Sequence, residues 1–149
     1  MVDITAIFST LITANHILHY HRVLDAYGHI SVRNPNNNLT FFLAAGIAPA
    51  LVSSPKYLVE YYVLNASSVD PNAPTGYIER YIHSEVLKRF PEVNSVIHSH
   101  SEAIIPYSDV DVPLEPLIHM AGFLSLILFP PTIISANELL QSRCTGPKL

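Results

Sequence analysis

The stretch "YIERYIHSEVLKRFPEVNSVIHSH", residues 77–100, changes hydrophobic period half-way along. Up to Phe90 the apolar residues Ile78, Ile82, Val86 and Phe90 recur on one stripe with Leu87 beside it, the spacing of an amphipathic helix. Thr75 is the expected cap at its start. Pro91 lacks the amide a helix would need and stops it. From Val93 the residues alternate as in a strand, with Val93, Ser95, Ile97 and Ser99 on one face and Asn94, Val96, His98 and His100 on the other. A helix stopped by proline and followed at once by a strand places both element types in one fold.

The rest of the chain supplies the other layers. Residues 4–25 read as one helix, with Ile4, Ile7, Phe8, Leu11, Ile12, Leu18 and Leu24 near a 3.6-residue period and Asp3 as its cap. Gly28 is where that helix is expected to break. Residues 29–33 alternate, Ile30 and Val32 lying opposite His29, Ser31 and Arg33. "NPNNN" is a turn, which makes "LTFFLA" the partner strand of a hairpin. "YLVEYYVLN" is a third strand, rich in aromatic and β-branched residues. The order helix, strands, helix, strand predicts an α/β sandwich with a mostly antiparallel or mixed sheet.

Composition narrows the function classes. With 149 residues, one domain is expected, and 49% hydrophobic content allows a sizeable core. Eight basic against twelve acidic side chains, a net charge of −4, argue against nucleic acid as a partner. The lone Cys144 makes no internal disulfide. The N-terminus lacks the basic region and cleavage site of a signal peptide. The stretch "AGFLSLILFPPTIISA" is broken by Pro130 and Pro131 and is too short to span a bilayer. A soluble, cytoplasmic protein with no membrane partner is expected.

The histidines carry the chemistry. On a strand, His98 and His100 project from the same face and can reach one ion, as half of a zinc site, or can simply be two strand histidines. A catalytic zinc takes three protein ligands and keeps an open position, so the pair needs company. Glu79 and His83, four apart, share one side of the preceding helix. Glu79 is open to two readings as well: a carboxylate serving a site, or a first-turn glutamate favoured by the helix dipole.

Taken together, Glu79, His83, Pro91, His98 and His100 resemble the class II aldolase/adducin family, whose pattern is a glutamate on a helix, a histidine one turn on, a proline, a short strand and His-x-His. Glu79 stands 19 residues before His98, the register of that pattern. "VLDAYGHISVRNP" resembles the family's upstream signature. The resemblance covers roughly residues 10–123, giving a family-like domain over 1–123 and a divergent tail over 124–149. It implies a three-layer α/β/α sandwich, here C-terminally incomplete, and a homo-oligomer with sites at subunit interfaces. It implies Zn2+ or another divalent metal held by His98 and His100, with Glu79 as ligand and acid/base and His83 supporting the site from behind. The implied activity is that of a metal-dependent lyase, cleaving or forming a C–C bond on a small-molecule substrate through a metal-stabilised enolate. A decarboxylase of the same family acting in secondary metabolism and a non-catalytic protein, adducin-like or truncated and inactive, are the alternatives.

The departures from the family pattern bear on the substrate. His29 stands where the phosphosugar aldolases have asparagine, "AAGIAPALVS" replaces a threonine/glycine loop, and Tyr77 and Ile78 replace two serines. The replaced groups are donors suited to a phosphate, so a non-phosphorylated hydroxy-carbonyl substrate is expected, as in fungal-type members. His29, Ser31, Tyr77 and His119 are the pocket candidates. The family's third metal histidine lies on a later strand, beyond the end of this sequence, which leaves His119 or His29 as possible substitutes.

Overall fold

The first helix closes earlier than its apolar pattern suggests. In the computed structural model, which describes residues 1–103 and 105–108, α1 spans Ile4–Tyr20. Asp3 caps it, its side chain accepting from the Thr5 amide at 2.9 Å. At the other end Arg22 sits in the left-handed region at φ 58°. Its N–H bonds the His19 carbonyl at 3.0 Å, and the Val23 N–H reaches Leu18 at 2.9 Å, a Schellman closure. A non-glycine residue there costs roughly 1–2 kcal/mol. The expected helix over 4–25, ending at Gly28, is therefore corrected: no glycine marks the true stop. The early stop frees residues 21–28 to turn back toward the sheet, where Leu24 is fully buried in one cluster with Leu11, Ile30 and Phe42.

Four strands follow as one antiparallel sheet in the order β3-β2-β1-β4: β1 His29–Arg33, β2 Thr40–Ala44, β3 Leu58–Tyr62 and β4 Ser95–His98. The hairpin across "NPNNN" pairs Val32 with Phe42, as expected. The sheet is covered on both faces. On one, Leu11, Phe8 and Leu18 of α1 pack on Ile30 and Phe42, with Phe8 edge-on to Phe42 at 4.9 Å between ring centres. On the other, α2, Arg80–Arg89, sets Leu87 against Phe41, Leu43, Val59 and Tyr61. Helix, sheet and helix make the expected three layers. Each large core side chain buried this way contributes about 1.5–3 kcal/mol.

Helix α2 differs from its expected form in two ways. Its cap is Glu79 rather than Thr75, and the Glu79 side chain makes no capping bond. Its buried face is His83, Ser84 and Leu87, while Ile78 is 80% exposed. The apolar stripe misleads because the sheet under α2 is partly polar. His29, Ser31 and Arg33 all point to that side and are buried, so β1 is covered on both faces rather than half-buried. Arg33 donates to the carbonyls of Asn38, Leu87, Phe90 and Val93, tying the end of α2 and the start of β4 to β1. The Ser84 hydroxyl bonds the Val63 carbonyl at 2.8 Å beyond β3.

The chain divides into two compact units, Met1–Ser101 and Glu102–Leu149. All elements above belong to the first; in the second the described residues form one short turn, Ile105–Ser108. His119 and the tail over 124–149 lie outside the described residues. Among the described residues no helix is long and apolar enough to cross a membrane.

Candidate metal and acid/base site

Pairing of β1 with β4 sets His29 directly opposite His98. Their rings stack at 4.8 Å between centres, 22° from parallel. Gly28 lets the chain pass close to them: a Cβ there would lie 3.1 Å from the His98 carbonyl oxygen and 3.0 Å from Leu24, a tight fit. The strand ends at His98, so His100 lies just past it rather than on it. The rings still meet, with Nε2 of His98 and Nε2 of His100 2.9 Å apart.

Glu79 enters from the start of α2. Because its carboxylate is not spent on capping, it turns inward. Oε2 lies 3.3 Å from His29 Nε2 and Oε1 lies 3.7 Å from His98 Nε2. Ligand atoms of His29, Glu79 and His98 all fall within 4.8 Å of one another. Two imidazole nitrogens and a carboxylate oxygen, with a further imidazole of His100 beside them, form a donor set that suits zinc or a similar divalent ion. The Glu79 side chain is 38% exposed, which leaves the cluster open to solvent on one side.

Behind these groups lies a buried polar layer. His83 and His29 are both fully buried and meet through Nε2 and Nδ1 at 2.7 Å. His83 Nδ1 lies 2.7 Å from the Ser31 hydroxyl. Burial, opposed by the Glu79 contact, lowers the His29 pKa to about 4. Burial, with the neighbouring His29 and His98, lowers that of His83 to about 3. His98 is lowered as well, chiefly by burial. Unprotonated nitrogens are the form that binds a metal. Tyr77 covers His29 at 4.4 Å between ring centres and donates its hydroxyl proton to the Ile47 carbonyl. Burial, then Glu79 and Asp25, push the Tyr77 phenol up to about 12. Tyr77 is held there because Gly76 bridges Ala45 at the end of β2, close under the Tyr61 ring.

The structure thus gathers Glu79, His98, His100, His29, His83, Ser31 and Tyr77 in one place. Asp25 is a residue that sequence reading missed. Its carboxylate lies 3.1 Å from His100 Nδ1 and accepts from the Gly28 amide at 2.7 Å and the Tyr27 amide at 3.0 Å. Burial works against its ionisation, but the two amides and His100 outweigh it and hold its pKa below the usual value. The Ser99 hydroxyl, bonded to the Val23 carbonyl, ties the same turn to the segment after β4. These contacts are made by the segment that follows the early end of α1.

The family of the class II aldolase and adducin N-terminal domain matches residues 9–139. This chain belongs to that family. Proteins of the family are typically dependent on a divalent metal, and the His/Glu/His cluster is a possible site for one. The decarboxylase tropJ of Talaromyces stipitatus, a fungus, is 56% identical over 115 residues, covering 77% of this chain and 43% of that protein. The L-fuculose 1-phosphate aldolase of Glaciozyma antarctica superposes with a TM-score of 0.59 at 26% identity, over 72% of this chain and 45% of that one. An aldolase II superfamily protein of Pseudomonas syringae, at 23% identity, has a TM-score of 0.67 over 79% of this chain and 48% of its own, a likeness of fold alone. The chain spans less than half the length of each of these relatives.

Proposed function

We propose that this domain carries the metal-binding and proton-handling part of a carbon–carbon lyase site, and that the reaction is decarboxylation of a small, non-phosphorylated hydroxy-carbonyl acid. The observation that carries this reading is the approach of the Glu79 carboxylate to His98 Nε2, with His100 Nε2 2.9 Å from the same nitrogen. It occurs in a chain 56% identical to a protein named a decarboxylase. His98 and His100 would hold the ion, zinc in the first instance, with Glu79 completing the donor set. A divalent cation, when bound, supplies Lewis-acid stabilisation of negative charge developing on the substrate.

The chain's own residues do the rest. The bond to the carboxylate carbon breaks, its electron pair moves toward the adjacent carbonyl, and carbon dioxide leaves. The carbon left behind takes a proton, which Glu79 in its acid form delivers before refilling from solvent on its open side. Asp25 would orient His100 by accepting from Nδ1–H, which would leave the other nitrogen's lone pair free for an ion. Tyr77 stands where phosphosugar aldolases are expected to have a serine hydroxyl, which suits a less polar substrate. Aldol cleavage is the second reading, favoured by the likeness to a fuculose phosphate aldolase. Assembly into a homo-oligomer, with the small molecule as substrate and a cytoplasmic location, belongs to the same proposal.

Metal analysis of the purified chain tests it. About one divalent ion per chain is expected, lost in His98→Ala and His100→Ala while the circular dichroism spectrum is retained. A folded wild-type protein that takes up no ion from added zinc, manganese or cobalt would sink the reading. Release of labelled carbon dioxide from a panel of β-oxo acids then separates decarboxylation from aldol cleavage. Glu79→Gln should lower turnover by about 10²–10⁴-fold and leave folding unchanged.

A further inference from the structure

We infer that His29 is a positioning residue for Glu79, held in one orientation and one tautomer by a directional hydrogen-bond relay that begins at the Ser31 hydroxyl. The inference rests on the reading of Glu79 as the proton carrier, and it concerns residues that touch neither substrate nor the reacting atoms.

The relay follows from counting protons. Its links are Ser31 Oγ to His83 Nδ1 at 2.7 Å, His83 Nε2 to His29 Nδ1 at 2.7 Å, and His29 Nε2 to Glu79 Oε2 at 3.3 Å. Ser31, His83 and His29 are each 0% exposed, so both rings are held neutral and each carries one N–H. Glu79 meets His29 through Oε2 alone and accepts there, whether ionised or with its acid proton on Oε1. His29 must therefore place its proton on Nε2, which leaves Nδ1 bare and accepting. His83 must then donate from Nε2, which leaves its own Nδ1 bare. Only the rotatable Ser31 hydroxyl remains to donate to it. The opposite direction would set a lone pair of His29 Nε2 against the Glu79 carboxylate.

The surroundings leave the relay little freedom. His29 lies between the rings of Tyr77 and His98, at 4.4 and 4.8 Å between centres, so its plane is fixed. Ser31 is two residues along β1 from His29 and shares its face, while His83 is one helical turn after Glu79. One strand and one helix thus supply both ends of the relay. Its output is a single proton aimed at Oε2, which keeps Oε1 turned toward His98.

Nitrogen-15 NMR of the histidine-labelled full chain tests this directly, with and without added zinc. Both His29 and His83 are expected as Nε2–H tautomers in both samples. Ser31→Ala should remove the single-tautomer signal of His83 and shift His29 Nε2, and Ser31→Thr, which keeps a hydroxyl, should restore both. An Nδ1–H tautomer on either wild-type ring would overturn the proposal. So would unchanged spectra in a folded Ser31→Ala. Loss of the His29 Nε2 proton on adding zinc would make His29 a ligand, and overturn it too. The tautomers are readable whether or not the chain binds metal, so failure of the metal reading and failure of the relay are told apart.

Discussion

The two faces of strand β1 are both buried and are built from opposite chemistry. Toward α1 stand Ile30 and Val32, against Leu11, Phe8 and Phe42. That face leaves an apolar groove of about 190 Å³ between Ile7, Leu11 and Ala14 on one side and Ile30, Val32 and Ser95 on the other. Toward α2 stand His29, Ser31 and Arg33, and none of their buried polar atoms lacks a partner. Apolar contacts are non-directional, so the first face holds together despite imperfect fit. A buried donor or acceptor left unmet costs about 1–3 kcal/mol, so the second face tolerates only one arrangement. Glu79 and His98 are positioned from that second face, where small displacements are expensive.

Mutation can break this contrast. Phe42→Ala should cost most, about 3–5 kcal/mol, because it removes a buried ring and opens a cavity beside an existing groove. Arg33→Met should cost somewhat less, about 3 kcal/mol, by removing the donor to the carbonyls of Asn38, Leu87 and Val93, while the Phe90 carbonyl keeps the Val93 N–H. Both are read from urea unfolding midpoints. If Arg33→Met cost less than about 1 kcal/mol, the polar face would be no more demanding than the apolar one.

Acid sharpens the contrast, because only one face titrates. His29 and His83 have pKa values of about 4 and 3 when folded, below the usual 6.5. As pH falls below about 6.5, the unfolded chain takes up protons that the folded chain refuses. Their contribution is therefore complete above about 6.5 and is lost progressively toward pH 4 and then 3. In metal-free protein the slope should approach ~1.4 kcal/mol per pH unit for each imidazole. The slope should persist in Phe42→Ala and shrink in a His29→Asn, His83→Asn double variant. An equal slope in both would place the acid sensitivity elsewhere.

What was legible in the sequence follows the same division. Local signals marked the first four features: alternation for β1, turn residues for the hairpin to β2, aromatic and β-branched content for β3, and proline for the stop at Pro91. The spacing of Glu79, His98 and His100 marked the site, because a family resemblance fixed their register. The end of α1 was hidden, since Arg22 adopts the left-handed conformation that a glycine would have advertised. The buried face of α2 was misread, because an apolar stripe is a guide only where the surface beneath is apolar. His83 and Ser84 face inward because Ser31 and Val63 O are there to receive them, which is a tertiary fact. Asp25 gave no local signal, since its partner His100 is 75 residues away.

Asp25 provides the test with the smallest effect on stability and the sharpest on chemistry. Its Oδ1 accepts from the Gly28 and Tyr27 amides, while Oδ2 faces His100 Nδ1 at 3.1 Å. Asp25→Asn keeps an oxygen for the two amides, so the turn should survive with a loss below about 0.5 kcal/mol. The new amide group, a donor, replaces the acceptor opposite His100. That ring is then driven toward the wrong tautomer, with its proton on the nitrogen that faces His98. Outer partners of metal-binding histidines are worth about 10–100-fold in affinity, and a zinc titration should show a loss in that range. Unchanged affinity in a folded Asp25→Asn would mean that the edge of the site set by the early stop of α1 is structural only. The ordering of the metal site would then come entirely from the α2 face.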